Sequence, residues 1–115
     1  MENIFIQMLG DYVDQLKSIY RDKLVMVSLF GSYARGDYHR GSDVDIMIVL
    51  DIPQERIPSY DDALCEATFR FNVDKEVDIE PVTVNKAHFQ KWMTVYPFYQ
   101  NICSEGVILY ESEAA

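Results

Sequence analysis

The chain has 115 residues, 49% of them hydrophobic and 13% aromatic, with 10 basic against 19 acidic side chains and a formal net charge of −9. A chain of this length and apolar content can bury a core, which excludes an intrinsically disordered segment. The acidic balance disfavours long nucleic acid, because a phosphate backbone is held mainly by clustered Lys and Arg.

The longest apolar run, Ile46 to Leu50, is far short of the roughly 20 residues that a membrane span needs. The opening Met1-Glu2-Asn3-Ile4 lacks the basic segment of a secretory signal. The expectation is a cytoplasmic protein with no membrane partner, folded as one domain over residues 1–115. Cys65 and Cys103 lie 38 residues apart with no other Cys and no His at ligand spacing. They are expected as reduced, buried thiols rather than as zinc ligands or a disulfide frame.

In chain order, Ile4, Met8, Tyr12, Leu16, Ile19 and Tyr20 recur at three- and four-residue steps and predict an amphipathic helix over residues 4–20. Gly10 weakens that helix by about 1 kcal/mol relative to Ala. Leu24 to Phe30 reads as a buried strand closed by Gly31-Ser32, and polar chain over 33–42 leads into a second strand, Asp43 to Leu50. Asp51, Pro53 and Pro58 mark a loop. Ser59, with Asp62 three residues on, predicts a capped helix through about Val73, with Leu64, Ala67, Thr68 and Phe71 inward. Glu76 to Val84 reads as a third strand, with Pro81 demanding an edge or a bulge. Asn85 is expected to cap a helix over Lys86 to Met93; Pro97 would open a last helix, Gly106 stop it, and Val107 to Tyr110 form a terminal strand. Trp92, Tyr96, Phe98, Tyr99 and Ile102 read as an aromatic-rich part of the core, or as an interface. The fold class expected is α/β (α+β), a small mixed sheet flanked by helices.

The chemistry concentrates between Gly31 and Asp45. Asp43 and Asp45 stand two apart on a predicted strand and so share a face, while Val44, Ile46 and Ile48 take the other. Like charges held so close are tolerated at a solvated strand end or around a divalent cation, and an all-oxygen set favours Mg²⁺ or Mn²⁺ over zinc. Val77-Asp78-Ile79-Glu80 repeats the pattern on the third strand. Carboxylates from two adjacent strands can hold two metals roughly 4 Å apart, which steadies attacking and leaving oxygens in phosphoryl or nucleotidyl transfer. Gly31-Ser32 falls at a strand-to-helix turn, where backbone N–H groups and a hydroxyl can seat a phosphate. Arg35 and Arg40 can offset the negative charge of a triphosphate. His39 and His88 have no partner at ligand or triad spacing and are expected to be surface residues.

Gly31-Ser32, ten residues, then Asp43-Val44-Asp45, followed by an apolar strand and a later strand acid, resembles the minimal nucleotidyltransferase family of the DNA polymerase beta-like nucleotidyltransferase superfamily. The resemblance implies a mixed βαβ sheet that binds Mg²⁺ and a nucleoside triphosphate and moves a nucleoside monophosphate, AMP from ATP, onto a hydroxyl. It places Gly31, Ser32, Arg35 and Ser42 on the nucleotide. Asp43, Asp45 and Asp78 become metal ligands and catalytic residues, with Glu80 the alternative to Asp78. Larger relatives hold the acceptor with a helical domain that follows this core, and the acceptor site here is expected to be shared. Small members of the family are similar in pairing with helical HEPN toxins, as antitoxins that attach AMP to a toxin tyrosine. The alternatives are a non-catalytic nucleotide-binding or interaction module that masks a partner, and a transferase acting on antibiotics with an acceptor site between subunits of a homo-oligomer. Tyr33 and Tyr38 are conceivable self-modification acceptors.

Overall fold

The structure, a computed structural model, describes residues 3–31, 34, 36, 42–93, 95–97, 100 and 106–112. In helix α1 (Asn3–Tyr20) the predicted stripe has Tyr12, Leu16 and Tyr20 buried and Met8 and Ile19 half-buried, and Leu9 and Val13 join it in the core, while Gln7, Asp11, Asp14 and Lys17 face solvent. Ile4, on its first turn, is exposed.

Strand β1 (Leu24–Phe30) pairs antiparallel with β2 (Val44–Leu50), which pairs parallel with β3 (Ile79–Asn85); β4 (Val107–Glu111) pairs antiparallel with the other side of β1. The sheet order is therefore β3-β2-β1-β4. A parallel neighbour needs a long return path. Here that path is a 3-10 segment (Gln54–Tyr60) and helix α2 (Asp61–Lys75). Helix α3 (Lys86–Trp92) follows β3 directly, capped as expected: Asn85 Oδ1 accepts the His88 N–H at 3.0 Å. The Asn85 Nδ2 donates to the Ile52 carbonyl at 2.6 Å, tying this corner to the chain that leaves β2.

Two apolar layers meet at the sheet. Val27, Leu29, Val44, Ile46, Ile48, Leu50 and Ile79 face α1 and α2, packing on Leu9, Tyr12, Leu16, Leu64 and Phe71. Met47, Val49 and Val84 face the other way and pack with Phe89 of α3. Strand β2 is covered on both faces, which explains why Ile46 to Leu50 shows no polar alternation. Burying each such side chain contributes roughly 2 kcal/mol, so the strand that carries Asp45 is firmly held. Pro81 sits on β3 at the end of the sheet, where a missing N–H leaves no ladder bond unmade.

Four expectations are corrected. Ser59 does not cap α2: its hydroxyl donates to the Arg56 carbonyl at 2.6 Å inside the 3-10 segment, and Tyr60 is the N-cap without a side-chain bond. Asp61 and Asp62 occupy the first turn instead, where the helix dipole favours negative charge. Strand β3 begins at Ile79 rather than Glu76, because Glu76 terminates α2 in a left-handed conformation (φ 55°) with its N–H on the Asn72 carbonyl. Cys65 is exposed, since the helix phase that buries Leu64, Thr68 and Phe71 turns position 65 outward. Tyr96 is exposed rather than part of the core. Cys103, Phe98, Tyr99, Ile102, the side chain of Trp92 and most of the expected last helix lie outside the described residues, as do Tyr33, Tyr38 and His39.

Candidate active site

The parallel register of β2 and β3 sets Val44 beside Ile79 and Asp45 beside Glu80, and the Val44 N–H donates to the Asp78 carbonyl at 2.8 Å. The two strands therefore begin side by side. Asp43 and Asp78, one residue before each strand, flank the same end, and Asp45 and Glu80 are the next residues on the same face. Val44 and Ile79 point into the opposite, apolar layer. Each pair of acids is carried by strand alternation, and the pairs are brought together by register.

Asp43, Asp78 and Glu80 each offer a carboxylate oxygen within 4.8 Å of the others, and all three are exposed. Asp45 is half-buried and stands apart from that trio, turned toward Gly31. Gly31 follows β1 at φ +73°, and a Cβ there would overlap Asp45 Oδ2 and stand 3.2 Å from its Cγ. Position 31 thus needs glycine twice, for its left-handed backbone and for the room it leaves the carboxylate.

Crowding shows in the titration of these groups. A hydrogen bond from Asp43, followed by desolvation and the Asp43 charge, holds the Asp78 carboxyl above its usual range. Glu80 is raised chiefly by the Asp78 charge, then by desolvation and by the charges of Asp43 and Asp45. Two carboxylates can share a hydrogen bond only with a proton between them. Such a set, hard oxygen donors with a surplus of negative charge on an exposed strand end, fits a divalent cation of the Mg²⁺ class.

Asn72 lies outside the sequence motifs of the site. On the last turn of α2 it accepts the Ile79 N–H on Oδ1 at 2.8 Å and donates from Nδ2 to the Ile79 carbonyl at 3.3 Å. Its own carbonyl takes the Val77 N–H at 3.2 Å and the Glu76 N–H. One residue therefore shapes the α2-to-β3 turn and grips the backbone between Asp78 and Glu80. The available signal was a residue of poor helix propensity near a helix end, a few positions before an acid.

Of the remaining expected site residues, Ser42 is half-buried directly before Asp43, while Ser32, Arg35 and Arg40 lie outside the described residues. His88 is exposed on α3, as expected. No helix among the described residues is long and apolar enough to cross a membrane.

Comparison with known proteins bears on what this arrangement serves. Residues 11–107 match the nucleotidyltransferase domain family. A Methanocaldococcus jannaschii protein named as a candidate protein adenylyltransferase is 36% identical over 100 residues, covering 87% of this chain and 92% of that one. Among solved structures, a candidate nucleotidyltransferase from Sulfolobus solfataricus aligns with a TM-score of 0.61 at 20% identity, over 94% of this chain and 81% of that one. A tri-AMPylated Shewanella oneidensis HEPN toxin in complex with MNT antitoxin aligns with a TM-score of 0.52 at 17% identity, over 95% of this chain and 75% of the other. These two likenesses carry the fold, a small mixed sheet with helices. The family match spans the turn at Gly31 and all four acids, and the chain belongs to the nucleotidyltransferase domain family.

Proposed function

We propose that the chain transfers AMP from ATP to a hydroxyl of a partner protein, acting as the antitoxin of a pair whose toxin is a helical HEPN protein with a tyrosine acceptor. The observation that carries the reading is the gathering of Asp43, Asp78 and Glu80 at one sheet end, with Asp45 on the same face turned toward the Gly31 turn. The name of the archaeal relative supports a protein acceptor, and the neighbouring toxin–antitoxin complex supports AMP and a HEPN partner.

In this reading Asp43, Asp45 and Asp78 would hold Mg²⁺, which would supply positive charge against the triphosphate and the departing pyrophosphate. Gly31 and Ser32 seat the phosphates, with Arg35 and Ser42 beside them. The acceptor oxygen attacks the α-phosphorus in line, the bond to the pyrophosphate oxygen breaks, and the acceptor's proton passes to Asp78. Gly31 leaves the Asp45 carboxylate room to face this centre, and Asn72 fixes the backbone that aims Asp78.

Labelled ATP, Mg²⁺ and the product of the neighbouring gene test the proposal. Label is expected on a tyrosine of that protein, and none with the Asp43→Asn, Asp45→Asn double variant. Transfer that persists in the double variant removes the assignment. Toxin inhibition that survives it without transfer assigns the chain to steric masking.

A further inference from the structure

We propose that the outward face of α2 is the docking surface for the partner, and that the partner presents a basic amphipathic helix to it; this rests on the partner-directed reading above. Helix α2 has two apolar sides. Leu64, Thr68 and Phe71 are buried against the core, yet Phe69 and Val73, one turn apart, remain 70% and 63% exposed. Cys65 continues the stripe one turn earlier and is also exposed. A scattered exposed apolar residue needs no explanation, whereas apolar side chains at positions i, i+4 and i+8 on one solvent face form the seam that a second helix covers.

Charge identifies the occupant. Asp62 and Glu66 lie on the same outward arc as Phe69 and Val73. Over residues 61–76 the acids are Asp61, Asp62, Glu66, Asp74 and Glu76, against Arg70 and Lys75. Both cations are engaged by this chain's own acids: Arg70 with Glu66 at 2.5 Å, and Lys75 with Asp74 at 3.8 Å and Asp11 at 4.0 Å. The face offered to a partner therefore interleaves apolar side chains with acids along one arc of the helix. A second copy related by two-fold symmetry would set these acids against themselves in a chain of net charge −9, whereas Lys and Arg beside an apolar stripe would complement them.

The stripe lies on the side of α2 away from the sheet, and the sheet face under α2 is the apolar one, so a helix laid along the stripe grips the chain without covering the acids.

The test uses the full chain and the product of the neighbouring gene, with affinity measured by calorimetry and the Cys65 alkylation rate read by peptide mass spectrometry. The Phe69→Ser, Val73→Ser double variant is expected to weaken the complex roughly tenfold or more, while its circular dichroism melt shows that the exposed positions leave the fold intact. Asp62→Lys is expected to slow association and to flatten its salt dependence. Cys65 is expected to be protected from iodoacetamide in the wild-type complex. Unchanged affinity in the double variant, or Cys65 labelling at the free rate in a saturated complex, overturns this docking site while leaving the proposed function standing. A wild-type chain that does not bind that protein overturns both. A wild-type homodimer that dissociates on the Phe69 and Val73 substitutions assigns the face to a second copy and overturns the proposal.

Discussion

Replacing Gly31 by Ala separates the role of the β1 turn in stability from its role in the site. The backbone at φ +73° costs a non-glycine residue about 1 kcal/mol. The new Cβ overlaps Asp45 Oδ2 and stands 3.2 Å from Cγ and 3.4 Å from Cβ of the same side chain. Relief must come from rotating the Asp45 carboxylate away, since Asp45 is fixed in the ladder between Phe30 and Glu80 and its backbone cannot retreat. The total loss of stability should stay near 1–3 kcal/mol, the range for strain of this kind, because the carboxylate is half-buried and can turn toward solvent. The damage to the site should be far larger: displacing a group by about 1 Å can cost on the order of 100-fold in rate. Urea unfolding of the metal-free variant, its melting shift with Mg²⁺, and AMP transfer measured in parallel test the argument. Wild-type transfer and wild-type Mg²⁺ response in Gly31→Ala would show that the Asp45 carboxylate does not need its observed place. Gly10→Ala is the control: among the described residues nothing beyond its chain neighbours and its own helix backbone lies within 4 Å of an added Cβ, so it should stabilise by about 0.5–1 kcal/mol with activity untouched.

Asn72→Ala removes both bonds to Ile79 and is expected to cost roughly 1–3 kcal/mol and to lower Mn²⁺ affinity as well; Mn²⁺ binding at the wild-type strength, measured by electron paramagnetic resonance, would make the residue purely structural. Tyr12→Phe breaks the buried 2.7 Å bond between the phenol and Thr68, so about 1–2 kcal/mol should be lost in urea. Most of it should return in the Tyr12→Phe, Thr68→Val double variant, where no polar atom is stranded; a simple sum of the single losses argues against this pairing. Burial keeps that phenol protonated, its pKa pushed up to about 12, so the effect should not vary between pH 5 and pH 9. The acid cluster supplies the pH dependence. Asp78 and Glu80 have folded pKa values above their ordinary 3.8 and 4.5, so the metal-free fold binds more protons than the unfolded chain. Their contribution to stability is fully present below those ordinary values and is lost as pH rises through the raised ones. In EDTA, Asp78→Asn should therefore melt above wild type at pH 7 and level with it near pH 4, and Mg²⁺ should raise the wild-type melting temperature most at the higher pH. A difference between the two proteins that ignores pH would refute the assignment.

Local pattern alone makes much of this protein legible. Helical spacing placed α1, apolar runs closed by glycine or acid placed β1 and β2, and Asn85 announced the cap of α3. The two-residue spacing of Asp43 and Asp45, and again of Asp78 and Glu80, determined that each pair shares a face, because alternation is a property of a single strand. The errors fell where packing overrode local preference. Ser59 lost its cap to a 3-10 segment that had already turned the chain, and Cys65 faced outward because the helix phase answers to Leu64, Thr68 and Phe71 together. Only the tertiary structure decided that the two acid pairs meet, since strand order and register depend on what the whole sheet buries. It also decided that Asp45 leans toward Gly31 while Asp43, Asp78 and Glu80 gather, and that Asn72 of one element holds the start of another. Such contacts join residues whose separation along the chain carries no periodic mark, so composition and spacing alone cannot encode them.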